Sequence, residues 1–529
     1  MLSPTLFLTL SAVLPIALLL TLLLACSWTA VRASLASFAL AVVVALSFYQ
    51  ASPEHVGDEI LKGVWNSISI IIVIFPAILI YEISRSAGAF PAIRQGITTL
   101  IPDHLLQVLT LGWCFSSFLQ GPSGFGVPIA VTAPLLIAIG VKPLWAVAIP
   151  LLGHGWANTF GTLALAWDAM VQQIPLPAET WLVAALWTGF FLFLMNLLAG
   201  FTLCWFYQGL AGVRHGFPAV LILGLTMGGG QMALAAFLPS LATVIPTTLA
   251  LGLALLLARL KRYRQASSSI SPLLVANSQQ PAAPASGGLV LHQALLPYYA
   301  LTVISLLVLL TPPLKNALGR FSTSFIFTEH TTKLGFVSPG SDNYSPLAWL
   351  IHSGFFLFLS AAVAGFYYYR QQALPSAKIL PALRDTWRKA LPASLSVLFL
   401  IGMSKVMGGT GQTDVLAQAA AALTGNAYGA LAPLIGVLGA FMSSSNVSSN
   451  ILFSQFQFVT ARLTGFDVAV VLAAQTCGGA LGCMISPAKV MLGATTAGVA
   501  GQEGVIIRKL LGVSVLSAAL LGVLVLVFG

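Results

Sequence analysis

A long apolar stretch from 105 to 167 is interrupted twice by polar, glycine-bearing segments, and this pattern constrains the fold more than any other feature. The stretch carries one formal charge, Lys142, and its interruptions are 120–126 and 153–162. Apolar flanks of this length imply lipid, where an unpaired backbone amide or carbonyl costs several kcal/mol. Irregular backbone survives there only inside protein or beside a water-filled cavity. The two interruptions therefore predict a binding site at membrane depth.

The composition excludes an ordinary soluble protein. Of the 529 residues, 58% are hydrophobic and 7% are charged, whereas soluble domains average about 25% charged residues. The net charge of +10 does not indicate nucleic-acid binding, because the basic residues cluster in short loops. The five cysteines have neither metal-ligand nor disulfide-framework spacing, so we predict no metal and no cofactor.

The alternation of apolar segments with short polar loops predicts an all-α polytopic membrane protein with about twelve crossings. About 20 apolar residues span a bilayer. Two further apolar stretches, 105–141 and 427–461, have polar centres. We interpret each as a re-entrant hairpin that enters the membrane and returns on the same side. The predicted spans are 5–25, 34–50, 60–81, 143–165, 181–206, 217–238, 240–259, 292–312, 346–369, 390–408, 466–499 and 509–528.

Loop charges predict the orientation of the chain. The basic segments 261–264 and 370–389 should be cytoplasmic by the positive-inside rule. The loop 313–345 is mixed in sign, and we place it outside together with Asp168 and Glu179. Counting crossings then puts both termini on the outer side. The predicted domains are an N-terminal half 1–259 (its spans 217–259 linking the halves), a flexible cytoplasmic linker 260–291, and a C-terminal half 292–529.

An internal repeat relates the two halves. Three breakpoints of the first half recur in the second half at a single offset, 411 − 88 = 323 residues. The predicted directions of spans 60–81 and 390–408 are opposite, so the repeat would be inverted. Paired, broken helices in two inverted halves are typical of secondary transporters. The three pairs of breakpoints are Gly88 and Gly411, Gly121 and Ser444, and Gly153 and Thr476.

The tip of the first hairpin has residues suited to an anion. Gly124 and Gly126 allow close backbone approach and positive φ, and Pro122 ends a helix. A helix that begins after this break offers unpaired N–H groups and a positive dipole end to an anion, and Ser123 adds a hydroxyl. Close packing of helices through small residues explains the same pattern, so this tip does not decide the function by itself.

The tip of the second hairpin is more polar. Seven of the eight residues in 443–450 are Ser or Asn, with apolar sequence on both sides. Ser and Asn favour caps and turns over helix interiors. Their uncharged donors suit a carboxylate, and their oxygens suit a cation. A surface loop is the alternative. The residues predicted to bind here are Ser445, Asn446, Ser448, Ser449 and Asn450.

The spans that follow each hairpin supply the predicted partners. In the first half these are His154, Asn158 and Thr159, and in the second half they are Gln475, Thr476, Cys477, Gly478, Gly479 and Ser486. Buried charges in membranes are costly, which makes Lys405 and Lys489 candidates for pairing with an anionic substrate, with snorkelling to the interface as the alternative. The predicted coupling or charge residues are His154, whose side chain titrates near neutral pH, Gln120 and Lys405.

Several stretches resemble the bacterial lactate permease family, in the same order along the chain. The similarity covers most of 60–165 and 390–510. It implies transport of lactate and glycolate together with protons, on the fold of the wider ion-transporter group with paired hairpins. The stretches that carry the resemblance are 124–133, 140–143, 448–450, 483–487 and 498–509.

The chain departs from the pattern of that family at four positions. The pattern has an acidic residue where this chain has Gln120, and Asp where it has Asn446. It has Lys at the position of Cys483, and Asn at the position of His154. Three charges are therefore missing together, and we consider His154 and Lys489 as replacements. These departures bear on both the substrate and the coupling ion.

Together these features predict a secondary carrier in a bacterial inner membrane. The predicted substrate is a small organic anion, lactate or a related 2-hydroxy monocarboxylate, moved by proton symport. Sodium coupling, or exchange of another organic anion, is the alternative. A polytopic membrane enzyme and a channel are rivals from other classes. The predicted partners are the anion, the coupling proton or sodium ion and the lipid bilayer, and assembly into a homo-oligomer stays open.

Overall fold

The computed structural model describes residues 4–24, 26, 28–124, 126–265, 271, 273–274 and 289–529, and within them the fold is helical. A π-helical turn, Thr110–Phe115, joins α5 to α6, and a 3₁₀ turn, Trp156–Asn158, precedes α9. The helices of the N-terminal half are α1 Pro4–Leu24, α2 Ala30–Ser47, α3 Pro53–Ser86, α4 Ala89–Leu100, α5 His104–Leu109, α6 Ser116–Gln120, α7 Val127–Ala138, α8 Pro143–Gly155, α9 Gly161–Val171, α10 Ala178–Gly224, α11 Gly230–Ala235 and α12 Val244–Leu257.

The C-terminal half adds two small antiparallel sheets, β1–β4 and β2–β3, to its helices. These strands lie mostly in the loop predicted at 313–345, where the sequence analysis had predicted no strands. Its elements are α13 Leu291–Ala294, α14 Leu296–Leu310, α15 Pro312–Gly319, β1 Ser322–Phe327, β2 His330–Thr331, β3 Val337–Ser338, β4 Ser341–Ala348, α16 Ser353–Arg370, α17 Ser376–Gly409, α18 Gln412–Thr424, α19 Tyr428–Ser443, α20 Asn446–Thr464, α21 Val468–Ile485, α22 Pro487–Thr496 and α23 Glu503–Phe528.

Eight helices of the described part are long and apolar enough to cross a membrane, or nine if the bent pair α14–α15 is one crossing. The prediction of a helical polytopic protein is confirmed, whereas the count of about twelve crossings stays a prediction.

One of these eight helices, Ala178–Ala235, contains non-helical backbone at Gln208 and Gly209. Glycines after this break pack on helix residues before it. A methyl group on Gly228 would lie 2.7 Å from Cδ2 of Phe193, so the chain doubles back here.

Two of the predicted boundaries differ from those in the structure. The span predicted at 346–369 begins only at Ser353, because β4 and a 3₁₀ turn occupy the residues before it. The segment 376–389, predicted as a loop, is the first part of α17. Most of the linker 260–291 lies outside the described residues. From its described part, the carbonyl of Leu273 accepts a hydrogen bond of 2.8 Å from the backbone N–H of Lys142.

The bounds of equivalent helices in the two halves differ by the offset of 323 residues predicted from the sequence. Both bounds of α3 map onto those of α17, since 53 + 323 = 376 and 86 + 323 = 409. Each of these long helices is followed by a glycine with positive φ, Gly88 at 73° and Gly411 at 88°, which caps the next helix. Glycine adopts this left-handed conformation without the steric cost of a side chain. The two halves therefore share a pattern of helix lengths and breaks.

The equivalent helices α3 and α17 pack against each other in antiparallel directions. A methyl group on Gly63 of α3 would lie 2.8 Å from the Cα of Gly402, so the two backbones touch there. Near the other end of α3, Arg85 pairs with Asp385 at 2.8 Å. The contacts between the halves are also reciprocal, since α7 packs on α22 and the equivalent α20 packs on α9. This arrangement supports the inverted repeat, which remains a proposal.

Candidate functional site

The tips of the two hairpins lie at one cavity of about 50 Å³. The broken helices that follow each hairpin complete its wall. Elements far apart in the chain therefore converge on one small space. The residues that line it are Gln120, Asn158, Gly161, Thr162, Leu165, Ala166, Ser444, Ser445, Asn446, Val447 and Lys489.

The first tip packs closely against the start of α9. A methyl group on Gly124 would lie 2.0 Å from Oγ1 of Thr162, and one on Gly161 would lie 2.8 Å from the carbonyl oxygen of Gln120. Gly124 and Gly126 have positive φ, 51° and 84°. Glycine is needed here for both space and backbone conformation. The predicted close backbone approach at this tip is present, and it serves packing against α9.

A left-handed turn of three consecutive residues holds α9 in this position. Thr162, Leu163 and Ala164 have φ values of 51°, 53° and 67°. Each non-glycine residue in this conformation costs of the order of 1 kcal/mol, so the surrounding contacts must impose it. One such contact is a hydrogen bond of 2.9 Å from the N–H of Leu163 to the carbonyl of Gly121. The strained turn thereby joins the first tip to the broken helix.

The second tip is a tight turn of three serines. Ser444 has a φ of 57°, and Ser445 caps α20 by accepting a hydrogen bond of 3.2 Å from the N–H of Ser448. Ser443 donates from its hydroxyl to the carbonyl of Gly439 at 2.7 Å. The polar residues after Ser445 belong to the first turns of α20. In the polar segment predicted at 443–450, Ser444 and Ser445 therefore form the turn and the other six residues belong to α19 and α20.

A buried network of neutral side chains joins the two halves beneath this tip. The Nδ2 of Asn446 donates to Oγ1 of Thr159 at 3.1 Å. The Nδ2 of Asn450 donates to Oγ1 of Thr476 at 2.9 Å and to the carbonyl of Ala166 at 2.8 Å. The hydroxyls of Thr159 and Thr476 are 3.2 Å apart and hydrogen-bonded. The network fixes the second hairpin against both broken helices.

Glutamines on α20 and α21 support this network from behind. The Nε2 of Gln475 donates to Oγ of Ser449 at 3.1 Å, and its Oε1 accepts from Nε2 of Gln457 at 2.9 Å. The hydroxyl of Ser449 itself donates to the carbonyl of Gly436 at 2.9 Å. Gln475 and Ser449 are both fully buried and do not line the cavity. We therefore place these two predicted site residues in the supporting layer.

Three amide oxygens in this region have no hydrogen-bond partner although they are buried. They are Oε1 of Gln120, Oδ1 of Asn446 and Oδ1 of Asn450. An unsatisfied buried acceptor costs about 1–3 kcal/mol. Such groups are expected where a ligand supplies the missing donor or cation. Gln120 and Asn446 also line the cavity, so a bound ligand could reach their side chains.

One cation faces this otherwise neutral cavity. The Nζ of Lys489, in the first turn of α22, donates to Oδ1 of Asn158 at 3.2 Å. Asn158 in turn donates from Nδ2 to the carbonyl of Gly155 at 2.8 Å, which fixes the orientation of its amide. Within the described residues Lys489 forms no ion pair. Its charge is therefore open to an anion in the cavity.

Other predicted site residues lie away from the cavity wall. The hydroxyl of Ser123 donates to the carbonyl of Leu119 at 2.6 Å, and Ser123 does not line the cavity. Lys405 donates from Nζ to the carbonyl of Gln172 at 3.1 Å, at the end of α9. His154 is buried behind the wall, and its Nδ1 has no partner.

Some contributors to the site were missing from the predicted set. Thr162 packs against Gly124, and Gly161 allows Gln120 to approach α9. Their position inside the polar interruption 153–162 could have identified them as site residues from the sequence. Gly479 was predicted as part of the break that follows the second hairpin, and the structure places it opposite Asn446. A methyl group there would lie 1.9 Å from Oδ1 of Asn446.

The sequence comparisons agree on one family. Residues 8–528 match the family model described as L-lactate permease. The chain is 28% identical to the L-lactate permease of Halalkalibacterium halodurans over 94% of this chain and 93% of that protein. It is 25% identical to the glycolate permease GlcA of Escherichia coli, covering 93% of this chain and 89% of that protein. The chain belongs to the L-lactate permease family.

Membership settles the broad class of function. The protein is a transporter and not an enzyme, and it is a multi-pass protein of the bacterial inner membrane. The family resemblance seen in the sequence is confirmed. Among solved structures, the YdaH transporter of Alcanivorax borkumensis aligns with a TM-score of 0.45 and 15% identity over 88% of this chain and 86% of that one. That likeness is too weak to support a structural argument.

Proposed function

We propose that the protein carries lactate or a related 2-hydroxy monocarboxylate across the inner membrane, bound in the cavity between the hairpin tips. The names of its relatives, L-lactate permeases and a glycolate permease, support this substrate class. The observation that carries the proposal is the unpaired charge of Lys489 beside neutral hydrogen-bonding side chains. A single cation in such surroundings matches a monocarboxylate in charge.

The neutral side chains match the rest of such a substrate. A 2-hydroxy acid has a hydroxyl that can donate a hydrogen bond, and Gln120 and Asn446 have buried oxygens without a donor. The carboxylate would pair with Lys489, and the hydroxyl would donate to one of these amides. A site built to bond a hydroxyl rejects an analogue that lacks it, because its polar groups are then left unpaired. The proposed site therefore favours lactate over propionate.

The arrangement of the halves supports alternating access as the transport mechanism. The cavity lies where α9 and α20 of opposite halves pack together, and Asn450 bonds to a backbone carbonyl of α9. Rocking of one half against the other would open the cavity to each side in turn, as in other inverted-repeat carriers. Such movement would break and remake the hydrogen bonds from Asn446 and Asn450.

We propose proton symport as the coupling mode, following the family resemblance. Sodium coupling is the second candidate, because unpaired amide oxygens such as those of Asn446 and Asn450 are suitable ligands for a hard cation. Either ion would enter with the anion and offset its charge. An imposed gradient of each ion separates the two candidates.

The deciding experiment is uptake of labelled L-lactate by the purified protein in proteoliposomes. We expect uptake to be driven by an inward proton gradient, inhibited by unlabelled glycolate and only weakly inhibited by propionate. Sodium-driven uptake at zero proton gradient would favour the second candidate. Absence of lactate and glycolate uptake under both gradients, in protein that retains its folded helical content, would refute the proposed substrate class.

A further inference from the structure

A second polar cavity, of about 430 Å³, lies far along α3 from the hairpin tips. It is formed where the end of α3, the loop between α16 and α17 and the first turn of α17 meet. Arg85 and Lys378 supply its charged groups. Its remaining lining residues are Ser86, Ala87, Gly88, Leu289, Gln293, Gln371, Gln372, Ala373 and Pro375.

An apolar groove of about 170 Å³ begins beside this cavity. The cavity and the groove share α3 and the start of α17, because Leu374 of the groove lies between two residues of the cavity and Ile379 follows Lys378, and α16 completes the groove. The groove is lined only by apolar side chains and a glycine: Leu79, Ile83, Phe358, Ala361, Ala362, Gly365, Leu374, Ile379, Ala382 and Leu383. The surface is thus cationic and polar at the cavity and becomes apolar along the groove.

The charges in the polar cavity are not balanced. Arg85 pairs with Glu82 and with Asp385, whereas Nζ of Lys378 donates only to the backbone carbonyl of Ser86, at 3.3 Å. No acidic side chain of the described chain forms an ion pair with Lys378. A positive charge is therefore available to an anion from outside the protein.

The neighbouring surface of α17 is suited to the boundary between lipid and water. Leu380 is 74% exposed and Trp387 is 58% exposed, and the basic residues Arg384 and Arg388 are also exposed between and beside them. Exposed tryptophan, leucine and arginine together are typical of a membrane interface. The cluster of basic residues predicts that this interface is the cytoplasmic one, where a bacterial membrane carries anionic lipid.

We propose that this composite surface is a binding site for an anionic phospholipid. The phosphate of the headgroup lies in the polar cavity with Lys378 and Arg85, and one acyl chain lies in the groove between α3, α16 and α17. Basic pockets between membrane helices on the cytoplasmic side bind anionic headgroups in this way. Because the site lies on α3 and α17, a bound lipid would link the two equivalent helices of the repeat.

The test measures lipid binding to the full-length, delipidated protein in detergent by native mass spectrometry. Phosphatidylglycerol and phosphatidylcholine with identical acyl chains are the probes. We expect the protein to retain phosphatidylglycerol preferentially, and Lys378→Gln to lower that affinity about fivefold, the loss for one surface cation. Ala362→Phe should also lower it by filling the groove. The matched controls are Lys315→Gln and Val363→Phe, at exposed positions outside the site.

The outcomes distinguish a lipid site from a site for a free anion. Equal retention of the two lipids, or unchanged retention in Lys378→Gln, would overturn the proposal. Displacement of phosphatidylglycerol by millimolar inorganic phosphate, without any effect of Ala362→Phe, would show that the cavity binds the free anion instead. Lys378 is exposed, so its substitution should leave the protein folded and keep the test decisive.

Discussion

At the scale of single residues, the chemistry of the proposed site depends on Lys489. Its ammonium group lies 3.2 Å from Oδ1 of Asn158 and forms no ion pair in the described part of the chain. The sequence had indicated this lysine as a candidate partner for an anionic substrate and as a replacement for the family charge at Cys483. The structure adds that Lys489 lines the cavity, whereas Cys483 is buried and does not.

We expect Lys489→Gln to raise the KM for lactate at least tenfold, because a hydrogen bond to a charged group contributes about 1.5–3 kcal/mol. Lys489→Arg should retain part of the activity, because it keeps a positive charge at a position that lines the cavity. Initial uptake rates in proteoliposomes measure these effects. Lys405→Gln is the comparison for a lysine outside the cavity. Wild-type kinetics in Lys489→Gln would show that substrate binding does not use this charge.

A second residue-scale prediction concerns Gly479. We expect Gly479→Ala to impair transport strongly, because the added methyl group would lie 1.9 Å from Oδ1 of Asn446 and displace that side chain. Gly155→Ala is the control, since a methyl group there would be in ordinary contact, 3.5 Å from the sulfur of Met484. Alanine favours helix over glycine by about 1 kcal/mol, so helix content should not fall in either variant. Equal uptake by both variants would contradict a role for Asn446 in the site.

At the scale of elements, the loop 321–348 contacts the starts of both α3 and α18. Lys62 of α3 donates to Oγ of Ser338 at 2.9 Å and pairs with Glu59 at 2.7 Å, all three being buried. The ring of Phe336 lies against Gly411, at the break between α17 and α18. This loop therefore contacts α3 of the N-terminal half and the break between α17 and α18 of the C-terminal half.

The equivalent glycines at the two helix breaks allow a matched test of this contact. Gly88→Ala should cost about 1 kcal/mol from backbone strain alone, because nothing lies within 4 Å of the added methyl group. Gly411→Ala adds a clash, since its methyl group would lie 2.1 Å from the ring of Phe336. We expect a clearly larger fall in the thermal unfolding midpoint for Gly411→Ala. Similar midpoints for the two variants would show that Phe336 contributes little to stability.

At the scale of the whole molecule, the antiparallel packing of α3 and α17 makes a prediction about topology. Helices that are equivalent in a repeat and cross in opposite directions require the two halves to be inverted in the membrane. The contact between Gly63 and Gly402 is made through backbone atoms, so it leaves no space for a side chain at Gly63. The inverted repeat and the loop charges together predict on which side of the bilayer each loop lies.

Labelling of single cysteines in intact cells tests that topology. In a Cys26→Ser background, which removes the exposed native cysteine, Asp342→Cys and Glu179→Cys should react with an impermeant maleimide. Lys261→Cys and Arg384→Cys should react only after the membrane is opened. If the pair Asp342→Cys and Glu179→Cys and the pair Lys261→Cys and Arg384→Cys are each labelled from the side opposite to the expected one, the orientation is the reverse of the predicted one. Labelling of one loop alone from the wrong side would contradict the inverted repeat.

The sequence alone determined the class of the protein and the location of its backbone breaks, and it predicted the repeat. These features are local, because hydrophobic length, glycine and serine content and loop charge can be read within about 20 residues of each position. The offset of 323 residues needed only a comparison of breakpoints, and α3 and α17 then matched it at both ends. The resemblance to the family was visible for the same reason.

Only the tertiary structure decided which polar residues face the cavity. Asn158 and Lys489 are 331 residues apart in the chain, and Thr159 and Asn446 are 287 apart. No local pattern shows that these pairs meet. Nor does it show that Ser123 bonds back onto its own helix. The left-handed turn at 162–164 has no glycine to reveal it, because contacts with the first hairpin impose the conformation that the residues themselves disfavour.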